Sequence, residues 1–357
     1  MSDVCLPMVY EHTDTTHHGG RIIYPIKVSI DETMVPASTA TMTMPRGELF
    51  TRNQVFMLYT ISGLSGHYRI RSIGLDCPND IITYQLEHMV AEVGDWCVMQ
   101  DQSGNYSATN AIRRLWRGSD TSSTSDDGYR GTDWQLGSVT ALSGITVELD
   151  AKKGDNLLSA ILKVLDGCPG VYMTFNYETS PWSINFARIN EANYGDYQDV
   201  SVNGLLTRNV STAKVTWDFT DLCTRVRYKY SNTWYVYTAD QTYRDKYGIA
   251  EEAMSTSGSS SLASAQYKAQ EFMRKNQEPR LSISITGEDM YPVTGKESDR
   301  LEVGKLYKLV VPELGNKYRN IIKLSRPDVY GEPRKVSITL GDADPTLWGY
   351  LGNIKKK

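Results

Sequence analysis

The residues best equipped for chemistry crowd the first quarter of the chain. All five histidines, His12, His17, His18, His67 and His88, lie there, and "HTDTTHH" sets His12, Asp14, His17 and His18 within seven residues. Imidazole and carboxylate are good zinc ligands, but a site needs a spacing that turns its donors to one side. This run lacks such a period and reads as a solvated loop. Cys168, in "DGCPG", follows a helical pattern. A helix C-terminus favours cations, so a thiol there stays protonated and is poorly placed as a nucleophile. Asp126 and Asp127 form an adjacent carboxylate pair. Two carboxylates can run glycoside hydrolysis once folding sets their separation, yet this pair sits in "SDTSSTSDDGYRGTD", a polar stretch that reads as an exposed loop with at most a weak calcium contact. No GxSxG, HExxH or P-loop occurs. Neither a catalytic set, a metal nor a cofactor is expected.

Composition bounds what must position these residues. A chain of 357 residues with 40% hydrophobic and 22% charged residues has enough apolar side chains for two or more compact domains. A formal net charge of -4 argues against a nucleic-acid coat, because neutralising phosphates requires a basic surface. The terminal "KKK" reads as a solvated tail. No run approaches the ~20 apolar residues that cross a bilayer, and "MSDVCLPMVYEHTD" shows no export pattern, so synthesis in the cytosol is expected. Cys5, Cys77, Cys97, Cys168 and Cys223 are odd in number, scattered and without CxxC, which suits small buried hydrophobes. Tyrosine is abundant, with 23 Tyr and 7 Trp against 6 Phe. Rings with a polar tip suit half-buried strands, subunit contacts and sugar-binding faces.

From Ile22 to Val98 the pattern is strand after strand, with "RIIYPIKVSI", "TATMTMP", "QVFMLYTI", "YRIRSIGL" and "IITYQLEHMV" separated by turn residues. "SATNAIRRLWRG" then places Ala111, Ile112, Leu115 and Trp116 at helical spacing. "GDNLLSAILKVLDGCPG" is the clearest helix: Asp155 or Asn156 caps it, Leu157, Leu158, Ile161, Leu162 and Leu165 form its stripe, and Gly167 and Pro169 end it. "VYMTFNY" and "WSINFARI" predict a hairpin. After Gly204 strands return in "AKVTWDF", "TRVRYKY" and "WYVYTA", followed by low-complexity "STSGSSS". A helix in "LASAQYKAQEFMRKNQ" comes next, with Leu262, Ala265, Ala269, Phe272 and Met273 on one face. Strands resume from Leu281 to Leu340.

Two of these stretches say the same thing. "GHYRIRSIGLDCPNDIITYQLEHM" (66–89) and "NKYRNIIKLSRPDVYGEPRKVSITLG" (316–341) share a Tyr-Arg pair, an apolar run, a proline turn and an alternating strand. The pairs Tyr68-Arg69 and Tyr318-Arg319 lie 250 residues apart. Upstream the order also agrees, with 19 residues from Leu49 to Tyr68 against 17 from Leu301 to Tyr318. A duplicated β-unit is the reading, with Tyr68, Arg69, Tyr318 and Arg319 as equivalent barrel positions.

"TWDFTDLCTRVRYKY" (216–230) and "LEVGKLYKLVVPELGNKYRNIIKLSRPDVYGEPRKVSITLGD" (301–342) resemble segments of the phage tail baseplate hub and tail-associated lysin family. That resemblance implies a mainly β fold with α+β insertions and two similar antiparallel β-barrels. The expected boundaries are 1–99 with 205–240 for the first barrel, 100–204 for an inserted α+β domain, 241–280 for a helical connector, 281–345 for the second barrel and 346–357 for a tail. It implies a homotrimer whose six barrels ring the end of the tail tube, matching a sixfold tube to a threefold tip. The implied partners are the distal tail or tube hexamer, the tape-measure protein, a spike or fibre protein, DNA in transit and the host envelope during infection. The implied location is the virion tail, assembled in host cytoplasm. A tail-associated peptidoglycan hydrolase remains open, as does a receptor- or sugar-binding module using Trp116, Trp134, Trp182, Trp217 and Trp234.

Overall fold

The computed structural model describes residues 8–12, 20–33, 38–47, 49–52, 54–117, 134–168, 171–179, 181–188, 210–255, 262–295, 299–304, 306–311 and 315–341. It is mainly β, as expected. The first strands are β1 (Met8–His12), β2 (Gly20–Ile23), β3 (Lys27–Thr33), β4 (Thr39–Pro45), β5 (Val55–Thr60), β6 (Gly63–Asp76) and β7 (Ile81–His88). An α+β block follows: β8 (Gln102–Ser107), α1 (Ala108–Arg117), β9 (Trp134–Leu136), β10 (Thr146–Ala151), α2 (Leu157–Asp166), β11 (Val171–Asn176) and β12 (Trp182–Arg188). Then come β13 (Val210–Asp218), β14 (Arg225–Tyr230), β15 (Thr233–Thr238), β16 (Glu251–Ser255), the helix Leu262–Asn276, β17 (Arg280–Glu288), β18 (Leu306–Val311), β19 (Gly315–Arg326) and β20 (Lys335–Gly341).

Alternation is clearest in β7 and β17 of the large sheet. In β7, Ile82, Tyr84 and Leu86 face inward while Ile81, Thr83 and Gln85 stay partly exposed. The inward rows of β3, β4, β5, β6 and β7 build one core from Val28, Ile30, Met42, Phe56, Leu58, Tyr68, Ile70, Tyr84 and Leu86. The α+β block has its own, larger core. There α1 buries Ala111, Ile112, Leu115 and Trp116, and α2 buries Leu157, Leu158, Ile161, Leu162 and Leu165. Asn156 is the cap of α2, its side-chain oxygen accepting from the Ser159 amide at 2.8 Å.

The sheet order contains the duplication. Twelve strands run β13-β17-β20-β19-β3-β4-β7-β6-β5-β1-β2, with β18 on β19. Strands β3, β4, β5, β6 and β7 take the spatial order β3-β4-β7-β6-β5. Strands β13, β17, β18, β19 and β20 take the order β13-β17-β20-β19-β18. These are one topology written twice, and the two copies join where β3 pairs antiparallel with β19. Among the described residues no pairing closes either copy into a barrel of its own.

The chain divides into a larger unit, Met1–Ala213 with Ile285–Lys357, and a smaller one, Lys214–Ser284. Residues 205–240 were assigned to the first barrel. Instead β13 opens the second copy of the repeat, and β14 and β15 belong to the smaller unit. That unit begins within β13 and ends within β17, the counterparts of β3 and β4. Its sheet runs β15-β14-β16, with Ser231 in the left-handed region (φ 54°) at the β14–β15 turn. Ala265, Ala269 and Met273 of its helix pack against Val226 and Tyr228. The α+β block at 100–204 falls within the larger unit.

Candidate functional site

The Tyr-Arg pairs that revealed the repeat are not its equivalent positions. A bulge interrupts the β6–β7 ladder between Ile70 and Ser72, and another interrupts β19–β20 between Ile321 and Lys323. Superposing the bulges matches Ile70 with Ile321 and Arg69 with Asn320. The hairpins agree independently, since Val55 pairs with Arg69 and Leu306 with Asn320. Tyr68 therefore corresponds to Arg319, and Tyr318 to His67. A one-residue slip exchanges the two faces of a strand, which the similarity of the sequences could not reveal.

Tyr68 and Arg69 are both buried. Arg69 donates from Nε to Glu87 at 2.9 Å and from Nη1 to Asp95 at 2.6 Å. Asn320, its true counterpart, is buried too and donates to the Gly304 carbonyl at 2.7 Å. Tyr68 lies 3.2 Å from the Ser65 hydroxyl, which donates to Glu32 of β3 at 2.6 Å. Burial pushes both the Tyr68 hydroxyl and the Glu32 carboxyl up, while the nearby Arg326 guanidinium pulls Glu32 down in part. Across the same junction Arg326 of β19 donates to Asp289 at 2.9 Å, and Ser62 donates to Asp289 at 2.5 Å. The Arg326 and Asp289 side chains are 4% and 0% exposed. Ser62 belongs to the first copy, Asp289 and Arg326 to the second. This polar seam, with the β3–β19 ladder beside it, ties the copies together.

A second cluster anchors the α+β block to the first copy. His67 stacks on Tyr177 with ring centres 4.1 Å apart, and Trp182 lies 4.9 Å from His67. His88 accepts at Nδ1 from the Val90 amide (3.2 Å), which leaves Nε2 as the donor to the Tyr177 hydroxyl at 2.5 Å. Burial lowers the His88 pKa to about 3. Between its ordinary 6.5 and that value the unfolded chain takes up a proton that the folded chain refuses. Stability is thus lost as pH falls through that window, by ~1.4 kcal/mol per unit where the slope is full. Glu32 acts oppositely: its raised pKa favours the fold at low pH, and that contribution fades as pH rises. Relative to the parent, His88→Gln is expected to lose about 2 kcal/mol less between about pH 7.5 and pH 5 in urea denaturation. Equal losses would contradict this reading.

The other sequence candidates are scattered. His12 ends β1, while Asp14, His17, His18, Asp126 and Asp127 lie outside the described residues. Cys168 is buried, with its thiol donating to the Val164 carbonyl at 3.2 Å. Of the tryptophans proposed for sugar, Trp116, Trp134 and Trp182 are core residues, and their faces are covered; Trp217 and Trp234 are exposed. Sequence reasoning missed Glu32, Ser62, Ser65, Asp289 and Arg326, which come from four separate segments and carry no local signal.

Three solved structures share this fold over nearly its whole length. Prophage tail protein gp18 from Listeria monocytogenes EGD-e is 13% identical, covers 98% of each chain and superposes with a TM-score of 0.62. A tail protein from Neisseria meningitidis MC58 is 12% identical, with 96% of this chain and 98% of that one covered and a TM-score of 0.61. The 43 kDa tail protein of prophage MuSo2 from Shewanella oneidensis is 12% identical, with 94% and 97% covered and a TM-score of 0.64. The chain thus has the fold of phage tail proteins. No protein-family model and no curated protein sequence matches it.

Proposed function

We propose that this chain is a structural baseplate hub of a phage or phage-like tail. The carrying observation is the doubled topology, β3-β4-β7-β6-β5 and β13-β17-β20-β19-β18, joined edge to edge within one sheet. Three such chains supply six equivalent strand units, so one ring offers sixfold contacts to a tube and threefold contacts to a tip. The tail proteins sharing the fold from end to end support this reading. In it the ring closes the tail tube above a spike or fibre, holds the tip of the tape-measure protein and opens for DNA. A net charge of -4 suits a channel that DNA slides through without adhering.

The hub reading makes the protein a scaffold, not an enzyme. Its polar clusters, Arg69 with Glu87 and Asp95 and Arg326 with Asp289, bind strands and segments to one another. Light scattering after size exclusion is expected to give a trimer, with no clearing of peptidoglycan in a zymogram. A stable monomer that clears peptidoglycan would establish the hydrolase reading in its place.

A further inference from the structure

We propose that the C-terminal half of β6, Ser72–Asp76, pairs with strand β13 of a second copy of this chain. The repeat itself supplies the argument. In the second copy of the repeat, the long strand β19 uses one edge twice: Gly315–Asn320 pairs with β18, and Lys323–Arg326 pairs with β3. Its counterpart β6 uses Gly63–Arg69 for β5 in the same way. Beyond the bulge, no described strand covers that edge from Ser72 to Asp76.

The side chains there match a missing neighbour. Ile73 corresponds to Leu324, which is 0% exposed, but Ile73 is 42% exposed. Leu75 corresponds to Arg326, 3% exposed, but Leu75 is 58% exposed. An open edge with apolar side chains is a template for strand addition. By the repeat, the strand that β3 supplies to β19 is β13. That strand ends the sheet, and it carries Trp217 at 46% exposure.

Matching the C-terminal ends of β3 and β13 fixes a register. Thr33 faces Lys323 in the β3–β19 ladder, so Asp218 of the incoming strand faces Ser72. Trp217 then falls opposite Ile73, Val215 opposite Leu75, and Lys214 opposite Asp76. The ion pair this makes echoes Lys323 with Asp31 (3.3 Å) at the internal junction. Repeated head to tail, the contact alternates with β3–β19 around a closed ring. The inference rests on the hub reading for its homo-oligomer and adds the strands that make it.

The test uses full-length chains in which Cys5, Cys77 and Cys97 are serine. Leu75→Cys chains and Val215→Cys chains are co-expressed and oxidised. A disulfide-linked dimer in the mixture, and in neither variant alone, is the expected result. Leu75→Asp is expected to weaken association at least about tenfold by light scattering, with far-UV circular dichroism unchanged. A trimer that forms in both experiments without the cross-link overturns the strand pairing and leaves the hub reading standing. A monomer at every concentration overturns both.

Discussion

Asp289→Ala is expected to cost the larger unit about 3–5 kcal/mol, because it removes the hydrogen-bonded carboxylate of the buried Arg326 guanidinium and leaves Glu32, itself shifted towards its neutral form, as the nearby acid. Arg326 and Asp289 are almost fully enclosed and 2.9 Å apart. Asp289 also accepts from Ser62 Oγ at 2.5 Å and, through Oδ1, from the Tyr291 amide at 3.1 Å. One substitution thus takes an acceptor from a cation, a hydroxyl and a turn amide together. Ser62→Ala removes only one neutral donor and is expected to cost about 1 kcal/mol. The double replacement Asp289→Leu with Arg326→Met removes both charges and is expected to recover much of the single-variant loss. Urea denaturation followed by circular dichroism measures all three. An Asp289→Ala loss below about 1 kcal/mol, in the range of exposed ion pairs, would remove the polar seam from the account.

Trp134→Ala is the second large effect, about 3–5 kcal/mol. Trp134 is fully buried on β9, which runs parallel to β12. Its ring meets Trp182, Phe175 and Tyr177 edge-on, at centroid separations of 5.5, 6.0 and 6.1 Å. The substitution opens a cavity where β9, β11 and β12 meet the histidines of β6 and β7, and neighbours held by separate strands collapse poorly into it. The same treatment of Trp234, 55% exposed, is expected to stay within about 0.5 kcal/mol of the parent. Comparable losses at both positions would mean that the aromatic cluster is not what fastens the α+β block.

Much of the local structure was legible. Helices α1 and α2 follow from their apolar spacing, and β3 to β7 from alternation and turns. The duplication was legible too, through features that both copies must share: a long strand, a turn and an alternating partner. Its register was not. Tyr68-Arg69 and Tyr318-Arg319 align by residue type, but ladder position depends on where Arg71 and Ile322 bulge out, and a bulge leaves no mark in composition. The extent of the inserted unit was hidden for a related reason. "AKVTWDF" and "TRVRYKY" are adjacent strand patterns, and nothing local says that the first belongs to one sheet and the second to an insertion. The polar seam stayed hidden because Glu32, Ser65, Asp289 and Arg326 meet only through the fold. Tryptophan count misled for the opposite reason: three of the five residues offered as a sugar platform serve the core.

The most direct measurement is electron cryo-microscopy of the purified oligomer. The account predicts a threefold ring of six similar strand units, alternately contributed by the two halves of each chain, around one channel. A map in which the halves adopt unlike strand orders, or in which the chain stands alone, would contradict it.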